Sequence, residues 1–297
     1  YTGLDYYNDS WLMLKDEAGK TPSMDVYLSK TDGKYAALDA MTKIFKYDTL
    51  LYGSNSYNKD TAQTKFVDGN GAMMVNGTWM YNEAASIGSK TKDFRIMRTP
   101  VISAIIDKCD SIEDDTELAA VVTAVDDVLD NGAEVALSGD DYEVTQQDWD
   151  TVYNARRLMY HNGSEHALIV NKHTNAKEGV KKFIQYYYSD EGLSRFVNAT
   201  HAFTNAKITD ESKINKAGWT ENEKRLYDDF GKYVFVTDGN AVSPMFTNNI
   251  MKVYGELNVV SLMSSGSKPQ NTDAIWKAFE QDVEGKWDKW LGNAGLK

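Results

Sequence analysis

Residues 71–76, Gly71-Ala72-Met73-Met74-Val75-Asn76, form a short apolar run set between two turns. Val67-Asp68-Gly69-Asn70 before it reads as a helix end and turn. After it, Gly77 turns the chain, Thr78 can cap, and a helix is expected to start near Trp79. Two further apolar runs, 167–170 and 94–97, are strand candidates. Short apolar strands alternating with helices define an α/β fold, here a helix-rich one.

Helical period is clear in several segments. Residues 35–46 carry Leu38, Met41, Ile44 and Phe45 on one face, and residues 116–129 repeat Leu118, Val121, Val122, Val125 and Leu129. Residues 148–159 include Trp149, Val152 and Leu158, and residues 177–188 show Val180, Phe183, Ile184 and Tyr187. Ser189-Asp190-Glu191 supplies a polar start for a helix over 192–197. From Thr272 onward, Trp276, Phe279, Val283, Trp287 and Trp290 follow a helical stripe, which assigns these tryptophans to the core.

The 297 residues suggest two domains, at roughly 100–200 residues each. The 32 basic and 44 acidic residues leave a net charge of −12, which repels phosphate backbones and anionic lipid. Nucleic acid and membrane surfaces are therefore not expected partners. The acidity fits a neutral or cationic ligand, or solubility alone. The single cysteine, Cys109, forms no internal disulfide and reads as a small buried hydrophobe. No apolar run approaches the roughly 18 residues of a membrane span. The chain opens at Tyr1 with no initiating Met and no secretory signal, which reads as a truncated or processed start.

No dinucleotide fingerprint, P-loop or nucleophile elbow is present. The four histidines, His161, His166, His173 and His201, lack metal-ligand spacing, and no metal or cofactor is expected. The stretch 110–150 is the most acidic, with Asp-Asp pairs at 114–115, 126–127 and 140–141 that read as a solvated face. A paired-carboxylate glycosidase stays open, because such acids face each other in space and not along the chain.

Two aromatic groups are poorly explained by core burial alone: Tyr6-Tyr7-Asn8-Asp9-Ser10-Trp11 and Asn76-Gly77-Thr78-Trp79-Met80-Tyr81. A strand-to-helix turn lies at the carboxyl end of a sheet, where open α/β sheets bind ligands. A Trp there can lay its face on the C–H side of a pyranose ring, while Asn and Asp take the hydroxyls. One such stack removes about 100 Å² of apolar surface, about 2–3 kcal/mol. A micromolar complex needs about 8 kcal/mol, so other contacts must contribute. Alternatively, Trp79 is a core residue that anchors its helix to the sheet.

The run Phe66-Val67-Asp68-Gly69-Asn70-Gly71-Ala72-Met73-Met74-Val75-Asn76-Gly77-Thr78-Trp79 resembles the F-x-x-G-x-x-A-M-x-x-N-G-x-W signature of extracellular solute-binding proteins of the sugar class, the group that includes maltose-binding protein. Residues 167–184, followed by Tyr188-Ser189-Asp190-Glu191-Gly192, resemble that family's strand, its N-x-x-x-A-x-x-F helix and the start of its next helix, with Gly179 or Val180 where the family often has Ala. Residues 248–262 and 272–290 resemble its two closing helices.

The resemblance implies a two-lobed, periplasmic-binding-protein-like fold of type II that closes on its ligand. It implies one lobe from 1–163 and 235–297, with 164–234 in the second lobe. It also implies that the family's opening half-lobe, on the order of 100 residues, is missing here, and that the acidic segment 107–150 is an insertion. Trp79 falls on the family's sugar-stacking Trp. Trp11, with Tyr6 or Tyr7, falls near an aromatic cluster of the same lobe, and Phe246 falls loosely on another aromatic contact. Asn76 and Asp9 are expected to bind hydroxyls, with Met80 beside them. The function implied is extracellular capture of a carbohydrate, an oligosaccharide, by a monomeric, lipid-anchored, non-enzymatic receptor that docks on an ABC transporter permease. A polyamine receptor of the same fold, a glycoside-active enzyme and a pure interaction module are the alternatives.

Overall fold

A computed structural model describes residues 23–31, 33–44, 49–77, 79–84, 87, 95–160, 168–204, 206–236 and 271–293. In chain order the described elements are helices α1 (Met24–Tyr27), α2 (Lys34–Ile44), α3 (Lys59–Val67), α4 (Met80–Ala84) and α5 (Asp115–Asn131), strands β1 (Ser138–Gly139) and β2 (Tyr142–Glu143), helix α6 (Gln146–Arg156) and strand β3 (Leu158–Tyr160). Helices α7 (Lys177–Tyr187), α8 (Asp190–Thr200) and α9 (Glu221–Asp229), strand β4 (Val234–Val236) and helix α10 (Thr272–Asn293) follow. The fold is helix-rich α/β. It divides into one unit from Tyr1–Ser56, Arg98–Gly163 and Val234–Lys297, and another from Tyr57–Met97 and Ser164–Tyr233.

In the first unit, Asp114 caps α5 by accepting from the backbone N–H groups of Thr116 and Glu117. Gly132 ends the helix in the left-handed region at φ 68°. The face Leu118, Val121, Val125 and Leu129 packs with Ile105, Ile112, Val144, Trp149 and Val152 into a continuous core. Asp148 is buried at the start of α6 and accepts from Asp110 N–H at 3.1 Å, Ser111 N–H at 2.8 Å and the Ser111 hydroxyl. It thereby ties the loop before α5 to α6. Arg156 grips Asp126 through two hydrogen bonds of 2.8 Å and donates to the Thr99 carbonyl, while Arg98 pairs with Asp130 at 2.6 Å. Part of the acidic stretch is therefore neutralised by arginine rather than merely solvated.

The stripe on α10 buries Ile275, Trp276, Phe279, Val283, Trp287 and Trp290, as its period requires. Tyr27 meets Phe279 and Trp287 at ring distances of 5.5 and 6.0 Å, and Tyr35 meets Trp276 edge-on. In the second unit, Ser189 caps α8, and Leu193 and Val197 form a small core with Ile208 and Trp219. A capping box at Thr220 and Glu223 opens α9.

The strands differ from the sequence expectation. Residues 71–76, 168–170 and 95–97 form no ladder, with a bend at Ala72, and Ala167 and Phe94 lie outside the described residues. Met73, Val75 and Ile169 are largely exposed. An apolar run favours pairing, but a strand exists only where a ladder partner meets it. Among the described residues these runs meet none. The ladders instead join β1 to β2 antiparallel, with Gly139 opposite Tyr142, and β3 to β4 parallel, with Met159 opposite Phe235. Leu158 and Met159, expected at the end of a helix, belong to β3, because α6 stops at Arg156 and Arg157 caps it.

Candidate functional site

The turn between 76 and 80 is built by its own side chains. Asn76 Oδ1 accepts from Gly77 N–H at 2.8 Å, and its Nδ2 donates to the sulfur of Met80 at 3.0 Å. The Gly77 carbonyl accepts from Met80 N–H, and the Trp79 carbonyl accepts from Glu83 N–H at 3.1 Å, which starts α4. Met80 and Ala84 are buried, whereas Trp79 is 50% exposed. The indole folds back over Gly77, where an added Cβ would overlap its six-membered ring. Gly77 does not have a positive φ, so the turn uses glycine for space and not for backbone reach.

The turn is held from α3, whose ends are set by the Asn58 cap and by Gly69 at φ 78°. Gln63, 1% exposed on α3, donates to Glu83 Oε2 at 2.5 Å. Lys59, one turn earlier, pairs with Glu83 Oε1 at 2.8 Å. The hydrogen bond from Lys59, then that from Gln63, holds the Glu83 carboxyl below the ordinary carboxylate range.

Of the expected ligand contacts, the structure therefore brings Asn76, Trp79 and Met80 together. Trp79 presents an accessible aromatic surface, Asn76 shapes the turn, and Met80 lies buried beneath it. Trp11, Tyr6, Tyr7, Asp9 and Phe246 lie outside the described residues, as does Thr78. Sequence reasoning missed Gln63, Glu83 and Lys59. The spacing of four between Lys59 and Gln63 on α3 is visible in the sequence, but their convergence on the Glu83 carboxylate depends on how α3 packs on α4.

Elsewhere, a groove of about 630 Å³ between α5 and the β1–β2 hairpin is lined by Asp126, Asp127, Asp130, Asp140, Asp141 and Tyr142. Among the described residues no cluster of three or more His, Cys, Asp or Glu could hold a metal ion, and no helix is long and apolar enough to cross a membrane.

The model of the bacterial extracellular solute-binding protein family matches residues 2–225, most of the chain. The chain belongs to that family. Membership assigns it extracellular solute binding, in a family that is generally non-enzymatic. No match is found among curated proteins or solved structures.

Proposed function

We propose that this protein is the receptor for a neutral carbohydrate, an oligosaccharide, which it delivers to the permease of an ABC transporter. The observation that carries this reading is Trp79: half its surface is open to solvent, at the turn that leads into helix α4. The six-membered ring lies against Gly77, and the exposed half of the side chain is the aromatic surface offered to a sugar ring. Stacking on that face contributes about 2–3 kcal/mol, with hydroxyl contacts and closure of the two lobes of a type II fold adding the rest. Trp11, Tyr6, Tyr7, Asp9 and Phe246, like Asn76 and Met80, are further ligand contacts in this proposal. The receptor acts as a monomer held at the cell surface by a lipid anchor.

A cationic ligand such as a polyamine gains little from this turn. Glu83, the carboxylate next to it, is already engaged by Lys59 and Gln63. Isothermal titration of the full-length protein with neutral oligosaccharides and, separately, with spermidine tests the reading. Saturable heat with an oligosaccharide, recovered intact by mass spectrometry, is expected. Heat with spermidine alone, or cleaved sugar, contradicts it.

A further inference from the structure

We infer that Glu83, gripped by Gln63 and Lys59, is the positioning residue for Trp79. The inference rests on the reading of Trp79 as the ligand platform. Helix α4 has five residues, far fewer than a helix needs to persist in water without tertiary support. The orientation of the indole is therefore fixed by whatever holds that one turn.

Two anchors are apolar: Met80 and Ala84 are buried on its inner side. They fix depth but constrain rotation about the helix axis weakly, because apolar contact is non-directional and the Met80 sulfur, which takes a bond from Asn76 Nδ2, is a weak acceptor. The carboxylate of Glu83 supplies direction. Glu83 stands one helical turn from Trp79, and its N–H donates to the Trp79 carbonyl at 3.1 Å. Each carboxylate oxygen then receives a donor from α3: Gln63 Nε2 at 2.5 Å and Lys59 Nζ at 2.8 Å. Residues 59 and 63 are four apart and share one face of α3, so a two-point grip is presented by a single element.

The two donors do not contribute equally. Lys59 is largely exposed and its ion pair is screened by water. Gln63 is buried, so the loss of its partner leaves an amide without solvent to replace the bond. Gln63 is therefore the decisive grip and Lys59 the secondary one.

The test uses the full-length protein and two readouts. The first is acrylamide quenching of the Trp79 component without ligand, taken as the difference between the protein and its Trp79→Phe variant. The second is oligosaccharide affinity. Gln63→Ala and Glu83→Ala are expected to change the Trp79 quenching constant and to weaken binding about tenfold, with Lys59→Ala doing much less. The exchange variant Gln63→Glu with Glu83→Gln restores an amide–carboxylate bond across the same gap, with Lys59 still four residues from the acid. It is expected to return both readouts toward those of the parent. Unchanged quenching in Gln63→Ala, or no recovery in the exchange variant, overturns the inference. If Glu83→Ala does not fold, Gln63→Ala and the exchange variant still decide. Absence of carbohydrate binding in the parent would refute the functional reading, whereas the quenching comparison judges the grip independently.

Discussion

The six-membered ring of Trp79 lies directly over Gly77, so that a Cβ at position 77 would overlap three of its carbons. This relationship makes Gly77 a spatial requirement of the indole's position. Gly77→Ala forces the ring outward or twists the turn. Its cost is expected to be about 1–3 kcal/mol, the range for inserting a methyl into a filled space. Chemical denaturation measures that loss, and a shifted tryptophan emission maximum reports the moved ring. Parent-like stability and emission would mean that the ring does not rest on Gly77.

Asp148 predicts an acid-sensitive element. Burial pushes its carboxyl up, but hydrogen bonds from the Ser111 hydroxyl, the backbone N–H groups of Ser111 and Asp110, and Thr145 outweigh it, leaving the group below its ordinary value. A depressed carboxylate contributes stability that is fully present above the ordinary range near ~4 and is lost as pH falls through the folded value. Urea midpoints recorded from pH 6 to pH 3 are expected to fall less steeply in Asp148→Asn than in the parent. At neutral pH that substitution is expected to cost about 1–3 kcal/mol, because donors from the loop before α5 meet an amide.

Cys109 is expected to be chemically quiet. Burial, then the charges of Asp148 and Asp110, push its thiol up to about 11. Near neutral pH the reactive thiolate is then scarce, and disulfide-exchange reagents should label the folded protein on the order of a hundredfold more slowly than a free cysteine. Labelling at the free rate should appear only in denaturant. Fast labelling of the folded protein would contradict the packing of Cys109 against the α5–α6 core.

Much of the helical framework is legible in the chain. The stripe from Leu118 to Leu129, the cap at Ser189 and the tryptophan stripe of α10 each follow from local spacing, because a helix closes its own hydrogen bonds. Strands are not self-sufficient in this way. Leu158–Tyr160 pairs with Val234–Val236, 76 positions apart in register, and nothing local to either run names the other. The apolar run 71–76, locally a better strand signal, remains unladdered among the described residues. The site divides similarly. Trp79 stands out by residue type and by its place after Gly77, while the Gln63–Glu83 bond joins residues whose polarity alone suggests a solvated surface.

The central claim is that Trp79 is the platform on which a carbohydrate stacks. Its most direct test is a titration of the full-length protein with neutral oligosaccharides, followed by tryptophan fluorescence, in parallel with Trp79→Ala. The account predicts a saturable change in the parent and at least a tenfold loss of affinity in the variant, since one stacked face is worth about 2–3 kcal/mol. Parent-like saturation in Trp79→Ala would contradict the site, and a folded parent that responds to no oligosaccharide would contradict the carbohydrate itself.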